Sequence, residues 1–203
     1  MKVRSLTPHP LTPSTAVDQI EVEFHHEGRS SALAIFRVMG NVAGLAVPSL
    51  SPAVEEVQGR GRVAFAKAAL TGRYDDLPGT PEVGRADALW RTTCFEAFAD
   101  LGDGGYAEFN ASPSKEWAAY RFDGYREGMH NLDGSVEVFN VEQDGQSLTI
   151  SAWLNWSDWP RVNRVGVSAV IEESDGTISY WALAHPSDKP DFHHPDSFVL
   201  EFP

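Results

Sequence analysis

The sequence predicts an all-β protein: a mostly antiparallel β-sandwich with a short helical insertion. About nine to eleven short segments are rich in β-branched and aromatic residues, and several alternate apolar with polar positions, as half-buried strands do. Turn signals with Gly and Asp separate them at short intervals, which is typical of antiparallel sandwiches. The chain has 203 residues, of which 42% are hydrophobic. That content is ample for one core, so we predict a single domain over residues 1–203.

The amino-terminal part predicts a strand pair. Residues 7–13 contain three prolines and cannot form a helix, so we expect an extended lead-in. Residues 20–25 alternate apolar with polar side chains, which predicts a half-buried strand. Residues 32–38 are more continuously apolar and predict a central strand, paired with the first across the turn at residues 28–30.

Residues 50–84 predict an insertion. Residues 54–57 and 63–70 have helical spacing and good helix formers, and the remainder carries loop chemistry. We expect a surface insertion with one or two short helices. A lid over a ligand face is the alternative, because long segments without sheet partners are often functional.

The centre of the chain predicts a hairpin with one unusual face. Residues 90–98 and 105–111 read as strands joined by a Gly-rich turn at 102–105. Side chains alternate along a strand, so one face is apolar: Phe95, Ala97, Ala107, Phe109 and Ala111. The other face holds Thr92, Cys94, Glu96, Phe98, Tyr106, Glu108, Asn110 and Ser112. Two carboxylates and an amide among aromatic residues are unusual for a core or a solvated surface, which makes this face the candidate site.

The carboxy-terminal part predicts two further hairpins. Residues 135–141 and 147–154 flank Asp144-Gly145, and residues 165–172 and 177–184 flank Asp175-Gly176. Residues 198–202 read as a closing strand.

Long motifs in this sequence resemble a known family. They read LWRTTCFEAF at 89–98, YAEFNASPS at 106–114, WAAYRFDGYREGM at 117–129, SYWALAHP at 179–186 and PDFHHPD at 190–196. They resemble the bacterial DOMON-like proteins, relatives of the type-nine carbohydrate-binding modules, over most of the chain except residues 50–84. The resemblance implies a DOMON-like, jelly-roll-like sandwich that binds a sugar or, in other branches, haem.

A sugar or oligosaccharide is the expected ligand. A sugar site needs aromatic walls for C–H faces, together with carboxylates, amides and Arg for hydroxyls. The residues that supply this set are Trp117, Tyr125, Trp181, Glu96, Glu108, Asn110, Arg121 and Arg126, with His185 near the edge. The tryptophans have an alternative place in the core, and the two carboxylates have one in a buried salt-bridge network with Arg91, Arg121 or Arg126.

Haem binding, glycoside hydrolysis and metal binding are the alternatives to a sugar ligand. Haem b would need Met129 or Met39 with His185 as axial ligands, and no attachment motif specifies it. Glu96 and Glu108 could in principle hydrolyse glycosides, although the resemblance implies binding without turnover. His185, Asp191, His193 and His194 lack the spacing of a zinc motif, so no metal site is expected.

Charge and processing signals limit partners and location. Sixteen Lys and Arg against 29 Asp and Glu give a net charge of −13, which disfavours nucleic acid and anionic membrane surfaces. The sequence shows no secretory signal and no apolar run long enough to span a membrane, and its one Cys precludes an intramolecular disulfide. We therefore expect a cytoplasmic protein. Its oligomeric state is open.

Overall fold

The regular structure of the described residues is almost entirely β. The computed structural model describes residues 3–27, 31–50, 84–156 and 162–201. These residues form twelve strands: β1 (Val3–Pro8), β2 (Val17–Glu27), β3 (Ser31–Gly40), β4 (Cys94–Asp100), β5 (Tyr106–Ala111), β6 (Trp117–Phe122), β7 (His130–Asn131), β8 (Gly134–Gln143), β9 (Ser147–Trp156), β10 (Arg164–Glu172), β11 (Ile178–Ala182) and β12 (Leu200–Glu201). Short 3₁₀ turns lie at Val42–Gly44, Leu89–Arg91 and Pro195–Ser197. The all-β prediction is confirmed.

The strands form two antiparallel sheets that share β1. Sheet I has the order β1-β2-β3-β9-β8, and sheet II has the order β7-β6-β5-β4-β10-β11-β1, with β12 beside β10. The first half of β1 pairs with β2, where Leu6 lies opposite Ile20. Its second half pairs with β11, where Thr7 lies opposite Ala182. The chain therefore passes from one sheet to the other within a single strand.

The main core lies between the two sheets. The predicted apolar face of β4 and β5, from Phe95 to Ala111, is buried there. Phe95 packs against Phe36 of sheet I with ring centroids 5.0 Å apart, and Phe109 packs against Trp156 at 5.8 Å. The alternation read from the sequence is confirmed for these two strands.

The opposite face of sheet II is also buried. Two segments, 84–93 and 187–198, cover it, and we call them the roof. Leu89 from the first segment and Phe192 and Phe198 from the second pack with Phe98 and Tyr106 of the sheet in a second apolar cluster. Sheet II is thus enclosed on both faces, which fixes the surroundings of the candidate site.

Most predicted hairpins form. The β8–β9 and β10–β11 pairs have the Asp-Gly turns, and β2 pairs with β3 up to Glu27 opposite Ser31. The predicted helices at 54–57 and 63–70 and the turn at 28–30 lie outside the described residues.

Two strand boundaries are wrong. Residues 7–8 of the expected extended lead-in lie in β1, and of the predicted strand at 198–202 the described residues form a strand only at Leu200–Glu201. The strand predicted at 90–98 begins at Cys94, because the Thr92 amide bonds to the Leu89 carbonyl in a 3₁₀ turn. Strands β6 and β7 had no individual prediction. Among the described residues, no helix is long and apolar enough to cross a bilayer.

Candidate functional site

A buried polar row crosses the roofed face of sheet II. Antiparallel register places Glu96 of β4 between Ser168 of β10 and Asn110 of β5. Glu108 lies two residues before Asn110 on β5, between Phe98 and Tyr120. Glu96, Glu108 and Asn110 are only 3%, 4% and 0% exposed. We call Glu96, Glu108, Asn110 and Ser168 the polar row.

Side chains within the sheet hold the row in place. The Asn110 amide donates to Oε1 of Glu108 at 2.7 Å, and its own oxygen accepts from the Cys94 thiol at 3.5 Å. The Ser168 hydroxyl donates to Oε2 of Glu96 at 3.2 Å. Among the described residues, no Lys or Arg forms an ion pair with either carboxylate. Hydrogen bonds therefore orient the row, and in the described part of the chain no paired cation would balance its carboxylates when they ionise.

Burial therefore controls the protonation of the row. Desolvation, reinforced by repulsion from Glu108, raises the pKa of Glu96 well above its ordinary value. Desolvation raises the pKa of Glu108 to about 7, although the Asn110 hydrogen bond and the Arg126 charge oppose it. Two carboxyl groups that are this deeply buried cannot both ionise readily near neutral pH.

Above the row, the roof contributes His193. Its Nδ1 lies 2.7 Å from the Tyr106 hydroxyl, which accepts from the backbone N–H of Arg126 at 3.2 Å. The Tyr106 oxygen accepts that bond, so we assign its proton to Nδ1 of His193 and the imidazole proton to Nε2. This Nε2 lies 3.9 Å from Oε2 of Glu108. Burial, helped by the Arg126 charge, lowers the pKa of His193 to about 4, so the ring is neutral.

A polar latch ties the roof to the loop after β6. Asp191 accepts hydrogen bonds from the Tyr125 hydroxyl and, at 2.8 Å, from the Arg126 guanidinium. Burial would raise the pKa of Asp191, but these two bonds hold it below its ordinary value. Tyr125 is 52% exposed, so its ring forms part of the outer surface above the row.

Five of the predicted ligand residues lie around this site. Glu96, Glu108 and Asn110 form its floor, and Tyr125 and Arg126 form its rim. His185 is adjacent to the roof: its Nε2 donates to the Thr7 carbonyl at 2.8 Å and its ring lies 6.4 Å from that of Phe192.

Three predicted residues lie elsewhere. Trp117 and Trp181 belong to the core between the sheets, so they do not wall the polar row. The reason is strand alternation: Trp117 shares a face with Ala119, and Trp181 shares one with Ser179, to which its indole N–H donates at 2.9 Å. Arg121 pairs with Asp103 at 2.8 Å and with Asp123 at 3.7 Å. The alternative Arg–Glu network is therefore not formed by Arg121 or Arg126.

The candidate haem ligands stand on separate elements. Met39 is in β3 of sheet I, His185 follows β11 of sheet II, and Met129 is 54% exposed in the loop after β6. Haem binding stays a prediction. Within the described ranges, no three His, Cys, Asp or Glu side chains are grouped as a metal site.

Sequence reasoning missed the roles of His193 and Asp191. Both belong to the motif PDFHHPD, which the sequence offered as part of the family resemblance and as a group without metal spacing, with no contact to the central hairpin predicted. His193 contacts Tyr106 across 87 positions of chain. The sequence feature that could have indicated a site role for this motif is the pair of adjacent His residues that follow an aromatic residue and lie between two prolines.

Comparison with known proteins establishes the fold. No family model matches the chain, and no curated protein matches it. A solved structure of a "putative carbohydrate-binding protein" from Bacteroides uniformis is similar, with a TM-score of 0.58 and 13% sequence identity. The match covers 98% of this chain and 84% of that one. The chain thus has the same overall fold as that protein.

Proposed function

We propose that this protein is a non-catalytic binding module for a sugar or sugar derivative, related to the DOMON-like and type-nine carbohydrate-binding proteins. Its ligand site is the roofed face of sheet II, with the polar row as the floor. The similarity to a protein named as carbohydrate-binding supports a binding role. The site itself supplies the chemistry that a sugar needs.

The carrying observation is the burial of Glu96 and Glu108 without a paired cation among the described residues. Removing a carboxylate from water without a partner has a penalty of several kcal/mol. A sheet that only needed packing would be more stable with apolar side chains there. Carboxylates accept hydrogen bonds from sugar hydroxyls, so a ligand would supply the missing donors.

Entry to the site requires the latch to open. Asp191 connects the roof to Tyr125 and Arg126, and these contacts are partly exposed polar bonds rather than packed core. Bonds of this kind contribute about 1–3 kcal/mol each, an amount that a ligand can replace. Once the roof lifts, the exposed Tyr125 ring offers a surface for the C–H face of a sugar.

Isothermal titration calorimetry against a panel of monosaccharides and disaccharides tests this function. Tyr125→Ala should weaken binding of the recognised sugar about tenfold, since an aromatic contact contributes about 1.5 kcal/mol. Phe139→Ala is the matched control, because Phe139 is a partly exposed aromatic residue on β8 of sheet I. The proposal fails if no sugar in the panel binds, or if the two variants bind the sugar equally.

A second candidate function is a structural or protein-interaction domain, which the sealing of the polar row favours. In that case no sugar raises the melting temperature. Glu96→Gln would then stabilise the protein, because it removes a buried ionisable group and leaves nothing else impaired.

A further inference from the structure

When Glu96 and Glu108 are ionised, the polar row has more hydrogen-bond acceptors than donors. One oxygen of each carboxylate is bonded, Oε2 of Glu96 by Ser168 and Oε1 of Glu108 by Asn110. Within the described part of the chain, the other two oxygens receive no hydrogen bond. Nε2 of His193 lies 3.9 Å from Oε2 of Glu108, which is beyond hydrogen-bonding distance. Both side chains are more than nine-tenths buried, so water does not readily satisfy them.

The two carboxylates are close enough to act on one group. Glu96 lies opposite Asn110, and Glu108 is the diagonal neighbour on the same face of β5. Diagonal positions are separated by roughly 7–8 Å, within the reach of two glutamate side chains. Their mutual repulsion contributes to the raised pKa of Glu96, which reflects the same proximity.

The charges nearby do not compensate this pair. The charge of Arg126 lowers the pKa of Glu108, but the Arg126 guanidinium is itself bonded to Asp191. The side chains flanking Glu108 are the aromatic Phe98 and Tyr120. Carboxylates beside aromatic rings form a favourable environment for an organic cation.

We infer that the recognised ligand carries a protonated amino group, as in an amino sugar, and that this group lies between Glu96 and Glu108. The inference rests on the proposed function and names the class of sugar. An ammonium group brings three donors and no acceptor, which matches the free acceptor oxygens. A hydroxyl would add an acceptor to a site that already has too many. A metal ion would need more oxygen or nitrogen ligands than the described residues group here.

Matched sugars test the inference by calorimetry at pH 6.5. The probes are glucosamine, galactosamine and mannosamine against glucose, galactose and mannose, which differ from them only at one substituent. We expect one amino sugar to bind at least tenfold more tightly than its neutral partner. Glu96→Gln and Glu108→Gln should each abolish this preference, whatever their effect on the neutral sugars. The control Glu142→Gln removes an exposed charge from β8 and should preserve it.

The possible results separate the inference from the proposed function. Equal or tighter binding of the neutral sugars overturns the inference and leaves the binding module intact. An amino preference that survives in both Gln variants also overturns it, since the preference would then arise elsewhere. Failure of all six sugars to bind, in a protein whose melting curve shows it folded, overturns the amino-sugar site, and the proposed function fails as well if no sugar of the wider panel binds.

Discussion

Replacing Glu108 by Gln should change the pH dependence of stability in a defined direction. Burial raises the pKa of Glu108 from its ordinary 4.5 to about 7 in the folded protein. The folded state therefore holds a proton between these pH values that the unfolded state releases. The stabilisation is complete below pH 4.5 and is lost as the pH rises through 7. The shift of the Glu108 pKa between the unfolded and folded states corresponds to about 3 kcal/mol of stability.

In the isosteric Glu108→Gln variant, position 108 does not titrate. The free energy of unfolding of this variant, relative to that of the wild type, should therefore rise by about 3 kcal/mol between pH 4.5 and pH 8. His193 provides a counterpart of opposite sign. Burial lowers its pKa from 6.5 to about 4, so its stabilisation is present above pH 6.5 and is lost as the pH falls towards 4. The free energy of unfolding of His193→Gln, relative to that of the wild type, should therefore rise at acidic pH, also by about 3 kcal/mol.

Urea unfolding followed by tryptophan fluorescence measures both effects at pH 4.5, 5.5, 6.5, 7.5 and 8. The free energy of unfolding of each variant is compared with that of the wild type at the same pH, so that other titrating groups cancel. Opposite slopes for the two variants are expected. Two parallel curves, with a gap that does not change with pH, would refute the assignment of a protonated Glu108 beneath a neutral His193.

Three further predictions concern the scaffold and the cofactor. Glu173→Gln should cost about 2–4 kcal/mol at pH 7 by urea unfolding, since its carboxylate accepts bonds from Ser14 and from the amide and hydroxyl of Thr15. The destabilisation by Glu173→Gln should shrink below pH 4.5, because these hydrogen bonds outweigh burial and lower the pKa of Glu173. A destabilisation that stays constant with pH would contradict this assignment. Gly40→Ala should lower the free energy of unfolding by more than about 2 kcal/mol, because φ is +144° and a Cβ would lie 2.3 Å from the Ala16 carbonyl. Gly104→Ala, at φ +92° with open space around it, should lower the free energy of unfolding by about half as much. Equal losses in the two variants would argue against the steric cause. The purified protein should show no Soret band, whereas a band after haem reconstitution that His185→Ala removes would support the haem alternative.

Local pattern predicted the strands and the two faces of the central hairpin. Alternation along β4 and β5 was sufficient to place Phe95 and Phe109 in the core and Glu96 and Glu108 on the other face. The Asp-Gly turns fixed two of the hairpins, because their backbone geometry depends on only a few neighbouring residues.

The parts that were not predicted depend on distant contacts. Trp117 was assigned to the ligand site without a strand for residues 117–122, so its face was not considered. The roof has no periodic pattern, because its 3₁₀ turns are short and its position is set by packing on Phe98. Whether a polar face is open or covered depends on such segments, and alternation within a strand carries no information about them.

The passage of β1 between the sheets has a consequence for folding. The second half of β1 pairs with β11, so Thr7 must find Ala182 across 175 positions of sequence. During synthesis, residues 3–8 emerge well before their second partner, which follows about 175 positions later. Closure of such long-range pairs slows folding and leaves strand edges unpaired in the meantime. We expect the nascent chain to expose the β11-facing edge of β1 until β11 has emerged, and this is the stage at which chaperones would protect it from aggregation.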